Sequence, residues 1–235
     1  FGSVSSYSFL LHNEKSVQVP VPSYITFSVI PHVRFVPNTL NTLGVGSNGV
    51  VLRVSAIIDN IIPFHFALKV VRNKTEGALI QYIEETGKNC GQVPTRLVRT
   101  DESDFVIMPI FDHNLVEYVD QYEAKNGKMK PAHINTIMTA IIKQIKCFLT
   151  IGMYYTDLKP ENILVRTMWY SPDDIDVRLG DLGSFRSYSK YICDKPESIT
   201  LKRRCIDSGL LHIYSWLNNT DSPCHSRLNK MQATA

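Results

Sequence analysis

Tyr154-Tyr155-Thr156-Asp157-Leu158-Lys159-Pro160-Glu161-Asn162-Ile163-Leu164-Val165 places a carboxylate, an ammonium and an amide in one short loop, followed at once by an apolar run. The Asp157 carboxylate can take a proton from a hydroxyl nucleophile. Asn162 carries an amide oxygen that suits a hard cation, and Lys159 between them can neutralise a phosphoryl group in flight. Phosphoryl transfer needs this inventory, because its catalysis is mostly positioning and charge stabilisation.

Downstream, Ile163-Leu164-Val165 and Val177-Arg178-Leu179 read as two short strands joined by a polar insertion, Arg166–Asp176. The second ends in Gly180-Asp181-Leu182-Gly183, which puts a carboxylate at the end of an apolar strand where it can bind a cation. Upstream, Ile134, Ile137, Met138, Ile141, Ile142, Ile145, Phe148 and Leu149 recur at three- and four-residue steps after Pro131. That spacing predicts a long amphipathic helix, packed by its apolar face, that delivers the chain to the loop. A shorter helix is expected over residues 114–125, with a polar linker after it.

Further back, Phe64–Val71 reads as a strand with Lys69 in its middle, where a charge is costly unless it is paired. The helix predicted from Thr75 offers Glu76 as that partner, with Glu84 and Glu85 as alternatives near its end. Before the strand, Leu43-Gly44-Val45-Gly46-Ser47-Asn48-Gly49-Val50-Val51 is G-x-G-x-x-G running into β-branched residues. Such glycines let a backbone approach phosphates with its N–H groups. The residues after Gly49 read as a strand, unlike the helix a dinucleotide-binding turn requires. Asp104–Phe111 is a further apolar strand, and residues 1–38, with prolines at 20, 22, 31 and 37, suit short strands and turns.

Composition narrows the classes. The 235 residues are 44% hydrophobic and 20% charged, ordinary for a globular chain. A net charge of +3 gives no case for nucleic acid or an acidic membrane surface. No apolar run reaches the roughly 18–20 residues of a membrane span. The five cysteines are scattered and lack C-x-x-C spacing, which favours a reducing intracellular compartment, cytoplasm or nucleus, over a disulfide scaffold.

The order G-x-G-x-x-G, Ala67-Leu68-Lys69, Asp157-Leu158-Lys159-Pro160-Glu161-Asn162, Asp181-Leu182-Gly183 resembles the eukaryotic-type protein kinase family over roughly residues 40–210. Lysine two residues after the aspartate is similar to the serine/threonine branch. The resemblance implies an α+β bilobal fold: an antiparallel β-sheet small lobe over 39–110 after an N-terminal extension, 1–38. A reduced helical large lobe would come next over 111–217, then a polar tail, 218–235. It implies ATP and magnesium as cofactors and a protein substrate with a Ser or Thr acceptor. Gly44, Gly46 and Gly49 would cover the phosphates, Val51, Ala67, Met108 and Ile110 would line the adenine site, and Lys69, paired with Glu76, would hold the nucleotide. Asp157 would be the base, Lys159 the neutralising cation, and Asn162 and Asp181 the metal ligands. A pseudokinase scaffold and a small-molecule phosphotransferase are the alternatives.

Tyr155-Thr156-Asp157 stands where the family has His-Arg-Asp, so the arginine that pairs with a phosphorylated activation loop is absent. Activity is therefore expected to survive alanine substitution of Ser184, Ser187 and Ser189. Lys195-Pro196-Glu197-Ser198 resembles a degraded Ala-Pro-Glu, and Asp207 is expected to begin a central helix and brace the catalytic loop. The shortened large lobe resembles those of kinases from large DNA viruses.

Overall fold

The computed structural model describes residues 4–10, 16–23, 25–27, 30–46, 49–59, 62–71, 74–87, 89–91, 95–99, 104–168, 171–187, 206 and 209–218. The expectations for Ser47, Asn48, Ser189, residues 195–198 and Asp207 lie outside them. The chain divides into two compact units, Phe1–Gly87 with Val93–Ile110 and Lys88–Gln92 with Phe111–Ala235.

The first unit contains β1 (Val4–Leu10), β2 (Ser16–Pro22), β3 (Ile25–Phe27), β4 (Ile30–Gly46), β5 (Gly49–Ile58), β6 (Ile62–Val71), α1 (Lys74–Glu85), β7 (Arg96–Arg99) and β8 (Asp104–Pro109). Six of the strands form one antiparallel sheet in the order β3-β4-β5-β6-β8-β7. Alternation decides its two faces. Val50, Leu52, Val54, Ala56, Leu68, Val70, Phe105 and Ile107 point to one side and form its core. The β1–β2 hairpin adds Phe9, Val17, Val19 and Val21 to that same core. The expected boundary at 38/39 falls inside β4.

Residues opposite one another across antiparallel strands share a face. Val51 pairs with Lys69 and Lys69 with Val106; Arg53 pairs with Ala67 and Ala67 with Met108. Val51, Ala67, Lys69 and Met108 therefore lie together on the face opposite the core. The helix α1 covers part of this face, burying Ile80 and Ile83.

Two glycines are set by close approach. Gly49 has φ +149°, and a Cβ there would lie 2.1 Å from the Val70 carbonyl oxygen. Only glycine fits, so the β4–β5 hairpin can close with Gly46 opposite Gly49. In α1, a Cβ on Gly77 would lie 2.2 Å from Asp104 Oδ2 of β8. The missing side chain lets the helix settle against that strand.

The second unit contains β9 (His113–Asn114), α2 (Leu115–Asn126), α3 (Pro131–Thr150), β10 (Met153–Tyr155), β11 (Ile163–Met168), β12 (Ser171–Leu179) and β13 (Phe185–Ser187). A fourth helix, α4, spans 209–217. Asn114 caps α2 through a reciprocal pair with Glu117, and Pro131 opens α3. Ile134, Ile137, Ile141, Ile145 and Phe148 of α3 are buried, each contributing about 1.5–3 kcal/mol of burial. The sheet order is β12-β11-β9, with β10 pairing β13 separately.

Two expectations need correction here. Residues 166–176 are not a simple polar insertion: β11 and β12 stay paired through Arg166–Asp176 and Thr167–Ile175. The Arg166–Asp176 ion pair at 2.9 Å, and Asp112 Oδ2 accepting from the Thr167 backbone N–H at 3.0 Å, explain why polar residues extend a hairpin. The cysteines are not all unpaired either, since Cys90 and Cys147 form a disulfide. No helix among the described residues is long and apolar enough to cross a membrane.

Candidate active site

In the first unit, the Lys69 ammonium lies 2.7 Å from Glu76 Oε1, with the two side chains only 9% and 4% exposed. Two buried charges are tolerated when each is the other's partner; removing one typically costs about 3–5 kcal/mol. The sheet aims Lys69 away from the core, and Gly77, beside Glu76, lets α1 approach β8. Glu85 instead accepts from Gln81 within α1 at 2.6 Å, and the Glu84 side chain lies outside the described residues. Val51 and Met108 are partly exposed and Ala67 is buried on the same face as Lys69, while Ile110 comes just after β8. A Cβ on Gly44 or Gly46 would meet nothing within 4 Å, so packing does not demand glycine at either.

In the second unit, the chain reverses through Thr156–Lys159 and a single 3-10 turn, Pro160–Asn162. Asn162 Nδ2 donates to the Asp157 backbone oxygen at 2.9 Å and to Asp157 Oδ2 at 2.8 Å. Lys159 Nζ lies 2.7 Å from the same Oδ2. Both partners of that ion pair are nearly half exposed (44% and 46%), so it contributes no more than about 1 kcal/mol and is readily exchanged for another anion.

Asp181 joins this group through the backbone. The Gly180 N–H donates to the Asn162 carbonyl oxygen at 2.8 Å, and the Tyr155 hydroxyl donates to the Gly180 carbonyl oxygen at 2.9 Å. Asp181 itself has φ +44° and ψ +67°, a left-handed conformation that a short polar residue tolerates. Ser184 fixes it there, donating from its backbone N–H to the Asp181 carbonyl oxygen at 2.9 Å and from its hydroxyl to Oδ2 at 2.6 Å. The Ser184 carbonyl in turn accepts from the Thr156 hydroxyl at 2.7 Å and from its N–H at 3.0 Å.

Tyr155 is the electrostatic centre of the group. Burial first, then the negative charges of Asp181 and Asp157, hold its phenol well above the usual tyrosine range, while a side-chain hydrogen bond with Asn162 pulls the other way. The hydroxyl therefore stays protonated and donating. The charges of Asp157 and Asp181 thus both act on one buried phenol.

Magnesium suits this donor set. Asn162 commits its amide nitrogen to Asp157, which directs the oxygen arm of the planar amide elsewhere, and Asp181 adds a carboxylate. Among the described residues no cluster of three or more His, Cys, Asp or Glu side chains could hold a metal. Magnesium fits such a sparse set because it keeps several waters and takes one or two protein oxygens plus phosphate oxygens.

Several site features escape a reading of motifs. Gln144 is a buried amide on the apolar face of α3, in step with Ile137, Ile141 and Phe148; a polar residue within that stripe was the available signal. Gly209 of α4 would place a Cβ 2.9 Å from Leu158 Cβ, so α4 packs directly against the loop that carries Asp157 and Lys159.

No family model matches the chain. Over 180 residues it is 24% identical to a mitogen-activated protein kinase, pmk-3, of Caenorhabditis elegans, covering 71% of this chain. The chain spans 37% of that relative's length. The similarity is thus to a protein kinase, at low identity and over part of each chain.

Proposed function

We propose that this chain is an ATP-dependent serine/threonine protein kinase, with Asp157 as the base that takes the proton of the acceptor hydroxyl. The observation that carries the reading is the hydrogen-bonded chain that joins Asp157 to Asn162 and Asn162 to Gly180, the residue before Asp181. The likeness to a protein kinase supports it.

In this reading Asp157 Oδ2, fixed by Asn162, accepts the acceptor proton as the hydroxyl oxygen attacks the γ-phosphorus of ATP. Its position comes from the two hydrogen bonds that Asn162 makes to Asp157 within the loop. Lys159 leaves its weak, exposed pair with Asp157 to neutralise charge on the transferring group. Asn162 and Asp181 would hold magnesium, which when bound offsets the charge of the phosphates. Glu76 keeps Lys69 extended so that its ammonium can engage phosphate oxygens, and Val51, Ala67, Met108 and Ile110 form the apolar seat for adenine. Gly44, Gly46 and Gly49 keep the hairpin backbone near the phosphates without side-chain obstruction.

The test is transfer of label from γ-labelled ATP to a generic basic protein, followed by identification of the phosphorylated amino acid. Phosphoserine or phosphothreonine is the expected product. Label appearing only on small-molecule alcohols, or no transfer despite nucleotide binding, overturns the reading.

A further inference from the structure

The disulfide joins Cys90, in the segment between α1 and β7, to Cys147 on α3, with Cα atoms 5.3 Å apart. Residues 89–91 are held by more than this bond. The Gly91 carbonyl oxygen accepts from Arg178 Nη1 at 2.8 Å, and its N–H donates to Asn89 Oδ1 at 2.9 Å. A Cβ on Gly91 would lie 3.2 Å from both Gln144 Cγ and Arg178 Nη1, so the loop rests directly on those two side chains.

Gln144 precedes Cys147 by three residues, on the same side of α3. Its amide donates to the Val177 carbonyl oxygen at 2.8 Å and accepts from the Leu179 N–H at 3.0 Å. It thereby completes the outer edge of β12, whose other edge pairs with β11. Two residues beyond Leu179 stands Asp181. The disulfide thus fastens loop 89–91 onto the helix face that holds the Asp181-bearing strand.

We infer that Cys90–Cys147 is a redox-operated clasp that sets the order of loop 89–91 and of the end of β12. The bond ties one short loop to α3: Cys90 is buried, while Cys147 is not among the residues that α3 buries. Cys147 is the more exposed of the two cysteines and is the entry point for a dithiol reductant. A thiolate of the reductant attacks Cys147 Sγ, the S–S bond breaks, and Cys90 leaves as a thiolate that takes a proton. The second thiol of the reductant then releases Cys147 as a thiol, and the reductant departs as its own disulfide. Opening the clasp removes the covalent tie on loop 89–91 and loosens its packing on Gln144.

The test is amide hydrogen exchange on the full chain without nucleotide, comparing oxidised protein, protein treated with dithiothreitol, and the variants Cys90→Ser and Cys147→Ser. Alkylation mass should show two more free thiols after reduction. Reduced protein and both variants should exchange at least about tenfold faster over 89–91 and 177–181, with the sheet of the first unit unchanged. The variants should not respond to dithiothreitol, and reoxidation should restore the wild type. Equal exchange in both redox states, or exchange rising across the whole chain, overturns the clasp. Because nucleotide takes no part, the outcome stands apart from the phosphotransfer reading.

Discussion

The Tyr155 hydroxyl donates to the Gly180 carbonyl oxygen at 2.9 Å, joining the loop that carries Asp157 to the residue before Asp181. Replacing Tyr155 with phenylalanine keeps the ring and removes this bond, which should lower stability by about 1 kcal/mol. It should also weaken binding of a magnesium–nucleotide complex, because Asp181 loses a support. The stabilising effect has a defined pH window. The folded phenol titrates above its unfolded value of about 10, so the contribution is fully present below that pH and is lost as pH rises toward the folded value. Melting curves at pH 8 and pH 11 should show the gap between wild type and Tyr155→Phe narrowing at the higher pH; a constant gap would contradict the assignment.

Lys69 and Glu76 are predicted to behave as one unit. Lys69→Met or Glu76→Leu alone leaves a buried charge and should cost about 3–5 kcal/mol. The double variant removes both charges and should cost clearly less than the sum of the two. Chemical denaturation of the three variants measures this coupling, and strict additivity would mean that the pair at 2.7 Å contributes no net interaction. Nucleotide binding should fall in all three.

Gly77 is expected to support this pair by letting α1 approach β8. Gly77→Ala puts a methyl group into the Asp104 carboxylate and should cost about 1–3 kcal/mol. Asp104→Ala in the same chain relieves the clash and should recover most of the loss in melting temperature. Failure of that rescue would show that α1 does not depend on its approach to β8.

Ser184 is not the loop serine that the sequence suggests. It is buried, donates to Asp181 and accepts from Thr156, so Ser184→Ala should reduce phosphotransfer by weakening the hold on Asp181. Ser187→Ala and Ser189→Ala should leave turnover intact, because Thr156 is engaged with a backbone carbonyl and offers no cation to a phosphate. A collapse in rate in either of the latter two variants would restore loop phosphorylation as a requirement.

What was legible in the sequence was what repeats with a period. Alternation in Val50–Ala56 separates a core face from a face carrying Val51 and Arg53, and the three- and four-residue rhythm after Pro131 is α3. A charge in an apolar strand announced that Lys69 needed a partner, and three carboxylates could have supplied it. The pairing depends on the tight approach at Gly77, which spacing alone does not reveal. The Arg166–Asp176 hairpin stayed hidden because its strands are held by ion pairs and an aspartate acceptor rather than by apolar alternation. Cys90 and Cys147 are separated by 57 residues, and no local pattern brings them together. Tyr155 read as a departure from a motif, while its hydroxyl proves to tie the loop of Asp157 to the residue before Asp181.

The most direct measurement is the rate of γ-phosphate transfer to a protein acceptor by wild type and by Asp157→Ala, at saturating magnesium and ATP. The Asp157 carboxylate lies outside the core and is held by Lys159 and Asn162, so the variant should fold and bind nucleotide normally. Transfer should fall by a factor on the order of 10² or more, the range for removal of a positioned general base. Equal rates in the two proteins would contradict Asp157 as the base and, with it, the account of the site.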